Sequence, residues 1–376
     1  MKIAFLVERP TQFEAPFYRF AARDPRHELR VLFTGGAGVA GPVFDPELGT
    51  AVSWGIDLLG GYPSEVCPAT GAAEWLAERL RPKRCDLLIV NGYTQPLYRL
   101  GTRLARRGGT ATALRLDSVR FGGSSLRDLA KRLLFATYMK RTYDLFFGVG
   151  SLTLEYLQAF GVPARRAGLF PYAVDVEEFR QRSRLALAER EAMRARLAVP
   201  AAARVVLSLA KFSPREAPWD LLRAFARLER EDLWLVLAGD GPERAALERA
   251  AGARVRFPGY VPYPELPALY ASADLFVHPA REERWGVSVQ EALACGLPVV
   301  ASSRVGAAFD LVEPGGNGFL YAAGDDAGLA GRIGDALALP AERVREASAA
   351  ILARWDYAAA WRGLLDAAAR VTGGAA

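Results

Sequence analysis

The chain has 376 residues, 51% of them hydrophobic, which is enough for two buried cores and predicts two layered domains. Its net charge is +6, and its apolar runs are all shorter than the roughly eighteen residues of a membrane-spanning helix. The apolar start IAFLV ends at Glu8, so we expect no signal peptide and a cytoplasmic protein. Three scattered cysteines and two distant histidines favour neither a disulfide framework nor a Cys- or His-rich metal site.

Short apolar strands alternate with helices through the first half of the chain. The segments KIAFLVE, HELRVLF, CDLLIVNG and TATALRL are predicted strands, and PTQFEAPFYRFAARDP and LYRLGTRLARRGG are predicted to contain helices. The Gly/Pro-rich stretch at residues 35–49 is a predicted mobile loop. This alternation predicts a parallel sheet.

The alternation restarts near residue 204, after the helix SLTLEYLQAFGVP and a charged helix. The predicted strands are RVVLSLA, LWLVLAG, RVRFPG, LFVHP and PVVAS, with helical segments between them. We therefore predict an α/β fold of two Rossmann-like, doubly wound parallel-sheet domains facing a central cleft, where such sheets bind ligands. The predicted bounds are residues 1–170, residues 171–352, and a helical segment at 353–376 that packs back across the junction.

The stretch HPAREERWGVSVQEALACGLPVVAS, residues 278–302, contains two acids separated by seven residues, Glu283 and Glu291. A helix that begins near Gly286 presents N–H groups and a positive dipole end, which suit a phosphate. Glu291 leans back toward that helix start, where it and Glu283 can accept hydrogen bonds from hydroxyls that flank the phosphate. A nucleotide sugar has this arrangement. The alternative is a solvated charged loop followed by an exposed helix face.

Several ordered blocks over about residues 168–325 resemble the C-terminal domain of the retaining glycosyltransferases of family 4, which have the GT-B fold. These blocks are PYAVDVEEF, LAKFSPREAPWDLLRAF, LVLAGDGPERAALE and the long run from VRFPGYVPYPELPALYASADLFVHP to GFLYAAGD. The resemblance implies transfer of a sugar from a UDP- or GDP-linked donor to a hydroxyl acceptor, with no metal or other cofactor.

The resemblance also assigns roles. Glu291 would hold the donor ribose, Glu283 the hydroxyls of the donor sugar, and Lys211 the charge of the leaving diphosphate. Catalytic candidates are Lys211, Arg215 and Glu283. Donor-binding candidates are Glu291, Trp285, Gly286, Val287, Ser288, Gly259 and Tyr260.

One position departs from the family pattern. The family commonly has a second basic residue five positions after the first, where this chain has Glu216 beside Arg215. An acid cannot stabilise a leaving diphosphate, so the pattern predicts that Arg215 takes over this role. Two alternatives remain open: a non-catalytic nucleotide-sugar-binding partner and a GT-B nucleotide-sugar epimerase.

The first half resembles the family only loosely and has no histidine after the strand CDLLIVNG. Residues near strand and loop ends are candidates for acceptor contacts, and a structural role is the alternative for each of them: Phe13, Asn91, Tyr93, Asp117 and Arg120.

Residues 99–141 contain eleven Arg or Lys against two Asp. Within them, the segment 120–144 mixes cations with Leu, Phe and Tyr, which predicts a peripheral contact with an anionic membrane and suits a lipid-linked acceptor. A solvated helix is the alternative. We expect no nucleic-acid partner, because no recognition motif accompanies the charge.

Overall fold

The computed structural model describes residues 1–39, 41–45, 47–122 and 125–372. It divides into two compact units: a first unit of Met1–Gly41, Asp57–Ala173 and Tyr357–Ala376, and a second unit of Pro42–Ile56 and Val174–Asp356. Some predicted segments extend beyond the described residues, at positions 40, 46, 123–124 and 373–376.

The first unit contains a sheet of seven parallel strands. In spatial order they are β5 (Ser64–Val66), β2 (Glu28–Phe33), β1 (Lys2–Val7), β6 (Leu87–Asn91), β7 (Ala111–Leu116), β8 (Leu145–Gly148) and β9 (Ala167–Leu169). The central strands are continuous apolar runs, as expected of a parallel sheet covered on both faces. The four strands predicted here are confirmed.

The helices of the first unit are α1 (Glu14–Ala21), α2 (Ala72–Arg79), α3 (Pro96–Arg107), α4 (Ser125–Leu134) with a π-helical turn at Phe135–Met139, α5 (Lys140–Thr142), α6 (Ser151–Ala159) and α16 (Tyr357–Thr372). Helix α3 begins with Pro96 at its first position, where a missing N–H has no cost, and Gly108 caps its C-terminus. Although α16 is last in sequence, it belongs to this unit, where Trp361 donates its Nε1–H to Asp24 at 3.0 Å.

The second unit contains a sheet of six parallel strands. In spatial order they are β12 (Val255–Gly259), β11 (Leu233–Ala238), β10 (Arg204–Leu209), β13 (Leu275–His278), β14 (Val299–Ser302) and β15 (Gly318–Tyr321). Its helices are α7 (Val176–Ala186), α8 (Arg190–Arg196), α9 (Pro218–Ala226), α10 (Arg244–Ala250), α11 (Leu266–Ser272), α12 (Val287–Ala294), α13 (Gly306–Leu311), α14 (Asp326–Leu337) and α15 (Ala341–Leu352). All five strands predicted here are confirmed.

Residues 42–56, the acidic hairpin, differ from the sequence prediction. Strand β3 (Val43–Asp45) lies within the predicted loop of residues 35–49 and pairs antiparallel with β4 (Thr50–Val52), which directly follows that loop. The Asp45 carboxylate accepts hydrogen bonds from the N–H groups of Glu47 and Leu48 at 2.9 and 3.2 Å, and Gly49 has a φ of 69°, so the turn has its own stabilising geometry. The hairpin belongs to the second unit, whereas the predicted domain 1–170 includes it.

Among the described residues, no helix has both the length and the apolar composition needed to cross a membrane.

Candidate functional site

In the second unit, the loop between β13 and α12 brings together three residues that were predicted to belong to the site: Glu283, Trp285 and Gly286. Gly286 precedes α12 with a φ of 98°, and a Cβ at this position would lie 3.3 Å from Nε2 of His278 and 3.4 Å from Cγ of Glu283. The conformation therefore favours glycine here, and a larger residue would also crowd these neighbours. The Trp285 N–H donates to the Glu283 carboxylate at 3.3 Å, and the Trp285 ring stacks against Trp355. The start of α12 is thus fixed beside the Glu283 carboxylate.

The Glu291 side chain is buried, which excludes the alternative of an exposed helix face. Its carboxylate accepts a hydrogen bond from the Tyr270 hydroxyl on α11 at 2.8 Å. Burial raises the pKa of Glu291 to about 7, although the hydrogen bond from Tyr270 lowers it. A partly protonated carboxyl of this kind can both donate to and accept from a hydroxyl group.

The loop after β10 places two cations near one another. Lys211 Nζ lies 2.9 Å from an Asp45 oxygen and 2.7 Å from a Glu47 oxygen, both on the acidic hairpin. Arg215 Nη2 lies 3.5 Å from the same Glu47 carboxylate. Desolvation lowers the pKa of Lys211, but the two carboxylates outweigh it and raise that pKa overall, so the side chain is charged.

Arg215 also joins this loop to the one before α12. Its Nη1 donates to the Glu282 carbonyl at 3.1 Å and to the Glu283 carboxylate at 3.2 Å. The Arg281 N–H donates to the Arg215 carbonyl at 2.8 Å. The structure therefore brings the three predicted catalytic residues into one connected cluster.

Glu216, the departure from the family pattern, is buried beside this cluster, 2.7 Å from Arg215 Nη2. Burial, and then the charge of Glu283, raise the pKa of Glu216 to about 7. Ala217, the next residue, has a φ of 53°, a conformation that L side chains rarely adopt. The backbone turns sharply here, and it is Arg215 that faces Glu283.

Three side chains in this region could offer atoms to a metal ion. Oxygens of Glu216 and Glu283 and a ring nitrogen of His278 lie within 4.8 Å of one another. However, the Arg215 guanidinium already contacts both carboxylates. Burial lowers the pKa of His278, and its Nδ1 has no hydrogen-bond partner among the described residues. The expectation of no bound metal stays a prediction.

A glycine-rich loop after β11 packs against the loop of Lys211. A Cβ at Gly239 would lie 1.9 Å from the Ala210 carbonyl oxygen, and one at Gly241 would lie 2.7 Å from the Phe212 backbone. Gly259, a donor-binding candidate, accepts a hydrogen bond from the Gly239 N–H at 2.8 Å. Tyr260 follows, and its hydroxyl donates to the Ser53 carbonyl of the acidic hairpin at 3.3 Å. Gly259 therefore ends β12 beside the glycine-rich loop, and Tyr260 contacts the hairpin that pairs with Lys211.

The acceptor candidates lie in the first unit. Phe13 caps α1 and contacts Tyr172 edge to face, and Tyr93 packs against the core. Asp117 follows β7 directly, and Arg120 pairs with Asp128 at 2.7 Å.

Asn91, the remaining candidate, belongs to a buried polar group that the sequence did not reveal. Its side-chain amide donates to Glu14 at 3.1 Å, and Arg115 Nη1 lies 2.9 Å from the same Glu14 oxygen. The Arg115 guanidinium lies over the Phe170 and Tyr172 rings. The Asn91 amide nitrogen thus has a partner within the first unit, whereas its Oδ1 has none among the described residues, and an acceptor contact by Asn91 stays a prediction.

Sequence reasoning also missed four residues of the second unit: Asp45, Glu47, Asp220 and Tyr270. Asp220 is buried at the start of α9 and accepts two hydrogen bonds from Arg281 at 2.8 Å, so it fixes the loop before α12. A buried acid in the first turn of a predicted helix is a weak signal. The sequence does not show with which residues these four form hydrogen bonds or ion pairs.

Comparisons with known proteins identify relatives of this chain. Residues 189–352 match the family described as glycosyl transferases group 1. The chain is 31% identical over 272 residues to a GDP-mannose-dependent alpha-(1-6)-phosphatidylinositol monomannoside mannosyltransferase of Mycolicibacterium smegmatis, a match that covers 66% of each chain. It is 34% identical over 255 residues to a GDP-mannose-dependent alpha-mannosyltransferase of Mycobacterium tuberculosis, covering 66% of this chain and 63% of that one. The chain spans between 49% and 66% of the length of the first curated relatives that it matches.

The fold has solved counterparts. The crystal structure of Anabaena HepE in complex with UDP superposes with a TM-score of 0.73 at 20% identity, covering 97% of this chain and 99% of that one. This likeness confirms the predicted fold class. With the fold, the matched segment and these relatives together, residues 189–352 belong to the glycosyl transferases group 1 family, and the chain has the GT-B fold.

Proposed function

We propose that this chain is a retaining, metal-independent glycosyltransferase of family 4 that moves a sugar from a nucleoside diphosphate sugar to a hydroxyl acceptor in glycan or glycoconjugate assembly. Two relatives are named as GDP-mannose-dependent, and HepE was crystallised with UDP, so the donor is UDP- or GDP-linked.

The observation that carries this proposal is the cluster of Lys211, Arg215 and Glu283 in the same unit as the glycine-started helix α12. Two cations and a set of helix N–H groups can stabilise the charge that develops on a departing diphosphate. The family commonly has a second basic residue at the position of Glu216. In this proposal Arg215 supplies that second cation. Since Arg215 also contacts both carboxylates of the cluster, the proposed mechanism needs no metal ion.

The proposed mechanism retains the configuration at the anomeric carbon of the transferred sugar. The acceptor hydroxyl attacks the anomeric carbon on the face that the diphosphate leaves, and its proton passes to a departing phosphate oxygen. The protein then contributes positioning and charge stabilisation rather than a covalent nucleophile. In this proposal Glu283 holds hydroxyls of the donor sugar, and Glu291 holds the ribose.

The test of the donor site is calorimetric titration with UDP, GDP and ADP. We expect UDP or GDP to bind, and Glu291→Ala to weaken binding by about 1 kcal/mol or more, roughly fivefold in Kd, the scale of a lost hydrogen bond. Glu291→Gln keeps a hydrogen-bond acceptor for Tyr270. It therefore tests the role of the carboxylate in a variant that keeps this structural contact. Glu342→Ala, an exposed acid in the first turn of α15, is the control. Equal binding by the wild type and both Glu291 variants contradicts the donor-site assignment.

We also propose that the chain works in the cytoplasm at the inner membrane face and takes a lipid-linked acceptor. Helix α4 exposes three leucines at helical spacing, with exposed fractions of 78% for Leu126 and 64% for Leu129 and Leu133. Lys131 and Arg132 lie in its last turn. Apolar side chains beside cations match an anionic bilayer surface, where each cation contributes about 1 kcal/mol.

This contact predicts selective vesicle binding. The wild type should sediment with vesicles of phosphatidylglycerol and phosphatidylcholine in equal parts, but not with phosphatidylcholine alone. Leu129→Glu/Leu133→Glu should remain in the supernatant. Leu185→Glu/Leu187→Glu, with exposed fractions of 71% and 51% in the second unit, is the matched control and should sediment like the wild type. Sedimentation of both double variants would contradict this surface.

A further inference from the structure

The acidic hairpin covers the cations that the proposed function assigns to the donor. Asp45 and Glu47 accept two short hydrogen bonds from Lys211 Nζ, at 2.9 and 2.7 Å, and Glu47 also faces Arg215. An ammonium group has three hydrogen-bond donors, so two of the three on Lys211 are occupied by this hairpin.

These carboxylates make the cluster unfavourable for an anion. Lys211 and Arg215 stand against three acids, namely Asp45, Glu47 and Glu283, with the buried Glu216 beside them. A diphosphate brought to Lys211 would meet two carboxylates at the same nitrogen. At contact distance in a partly buried site, such like charges repel one another more strongly than they would in bulk water. The hairpin and a diphosphate therefore compete for one position.

The hairpin is a small element, and only part of it is anchored to the rest of the second unit. Its two strands have three residues each, and isolated two-stranded hairpins are marginally stable. Besides the ion pairs, its contacts with the rest of the unit include the bond from Tyr260 to the Ser53 carbonyl and the packing of Gly55 on Pro264. Phe44 in its first strand is 64% exposed, whereas Leu48 in the turn and Val52 in the second strand are buried, so the apolar anchoring of the hairpin is confined to the turn and the second strand.

We propose that residues 42–56 act as an acidic strap that occupies the place of the donor diphosphate, and that the nucleotide binds only when Asp45 and Glu47 have left Lys211. The proposal rests on the proposed function. It adds an autoinhibitory contact, because part of the binding free energy of the donor is spent on displacing the strap. The apparent Kd is accordingly the intrinsic Kd divided by the fraction of molecules in which the strap is undocked.

The test is calorimetric titration of Asp45→Asn/Glu47→Gln with UDP and GDP. The variant should bind the nucleotide about tenfold more tightly than the wild type, since neutral amides compete less well for Lys211. Glu229→Gln/Glu231→Gln is the matched control, because it makes the same change in net charge with exposed acids. These acids precede β11, at the opposite end of the parallel sheet from Lys211, and their variant should bind like the wild type.

Hydrogen exchange supplies a second measurement on the unmodified chain. Amides of residues 43–52 should exchange faster when UDP or GDP is bound than in the free protein, since the hairpin has been displaced. Unchanged or slower exchange in the bound protein would overturn the strap.

The outcomes separate the two proposals. If Glu291→Ala weakens nucleotide binding but Asp45→Asn/Glu47→Gln binds no better than the wild type, the donor site stands and the strap is wrong. Weaker binding by the double variant would also overturn the strap, because the carboxylates would then assist the nucleotide. If neither wild type nor double variant binds any nucleotide, both proposals fail.

Discussion

Lys211→Met is expected to lower the rate at which the enzyme releases UDP from UDP-glucose, or GDP from GDP-mannose, by about 10²- to 10³-fold at saturating donor. This is the scale of losing one group that stabilises charge in a transition state. The Lys211 ammonium lies beside Arg215, and the acids around it keep it charged. Methionine has a similar length without charge, so the change removes the electrostatic contribution and little packing.

Two variants make this measurement specific. Lys211→Arg keeps a positive charge and should retain a larger share of the rate. Arg249→Met removes an exposed cation from the last turn of α10 and should leave the rate unchanged. The wild-type rate should also be the same in EDTA if no metal ion takes part.

The same assay tests the two alternative functions. Binding of nucleotide without any release, by the wild type as well as by Lys211→Met, would favour a non-catalytic nucleotide-sugar-binding partner. A change in the donor sugar while it is still attached to the nucleotide, detected by NMR with no acceptor added, would favour an epimerase. Equal release by the wild type and Lys211→Met would contradict the role of Lys211.

Arg115→Met is expected to lower the free energy of unfolding by about 3 to 5 kcal/mol, the cost of leaving a buried charge without its partner. Arg115 is buried in the first unit, with Nη1 2.9 Å from Glu14 and Nε 3.1 Å from the Phe170 carbonyl. Its Nη2 donates to the Pro171 carbonyl at 2.6 Å. Methionine would fill part of the space but satisfy none of these acceptors.

The loss of unfolding free energy in Arg115→Met should increase as the pH rises. Burial raises the pKa of Glu14 above its ordinary value, although Arg115 lowers it, so removing Arg115 raises it further. A carboxyl with a raised pKa in the folded state contributes full stability below its unfolded pKa and loses it as the pH rises. The variant should therefore be more strongly destabilised at pH 8 than at pH 5 in urea unfolding experiments. Glu14→Gln/Arg115→Met should recover part of the loss, and an equal loss at both pH values would contradict this explanation.

The sequence predicts the elements whose apolar runs are long and well bounded. Strands such as β1 and β10, and the start of α12 at Gly286, are recognisable because buried parallel strands and helix-starting glycines have local signals. Two four-residue strands, β8 and β15, went unnoticed, since so short a run has no detectable period. The acidic hairpin was missed because Gly and Pro dominate its neighbourhood.

For the candidate site, the sequence predicted which residues of one motif lie together, but it did not predict partners that are distant in sequence. Glu283 and Gly286 were placed correctly beside one another by the spacing within a single loop. The hydrogen bond between Tyr270 and Glu291 joins residues 21 positions apart, and the ion pair between Asp45 and Lys211 joins residues 166 positions apart. Such pairs depend on tertiary packing, which one sequence without its fold does not reveal.

Residues 42–56 belong to the second unit and residues 357–376 to the first, so each unit contains segments that are distant in sequence. This limits how the molecule can be cut into fragments. The chain passes from one unit to the other four times, after Gly41, Ile56, Ala173 and Asp356. No single cut releases an intact unit, and a recombinant fragment of residues 174–356 would lack the segment that neutralises Lys211. In such a fragment Lys211 would lose both of its carboxylate partners while Arg215 keeps Glu216 and Glu283, and on the strap proposal its nucleotide affinity would overstate that of the full-length protein.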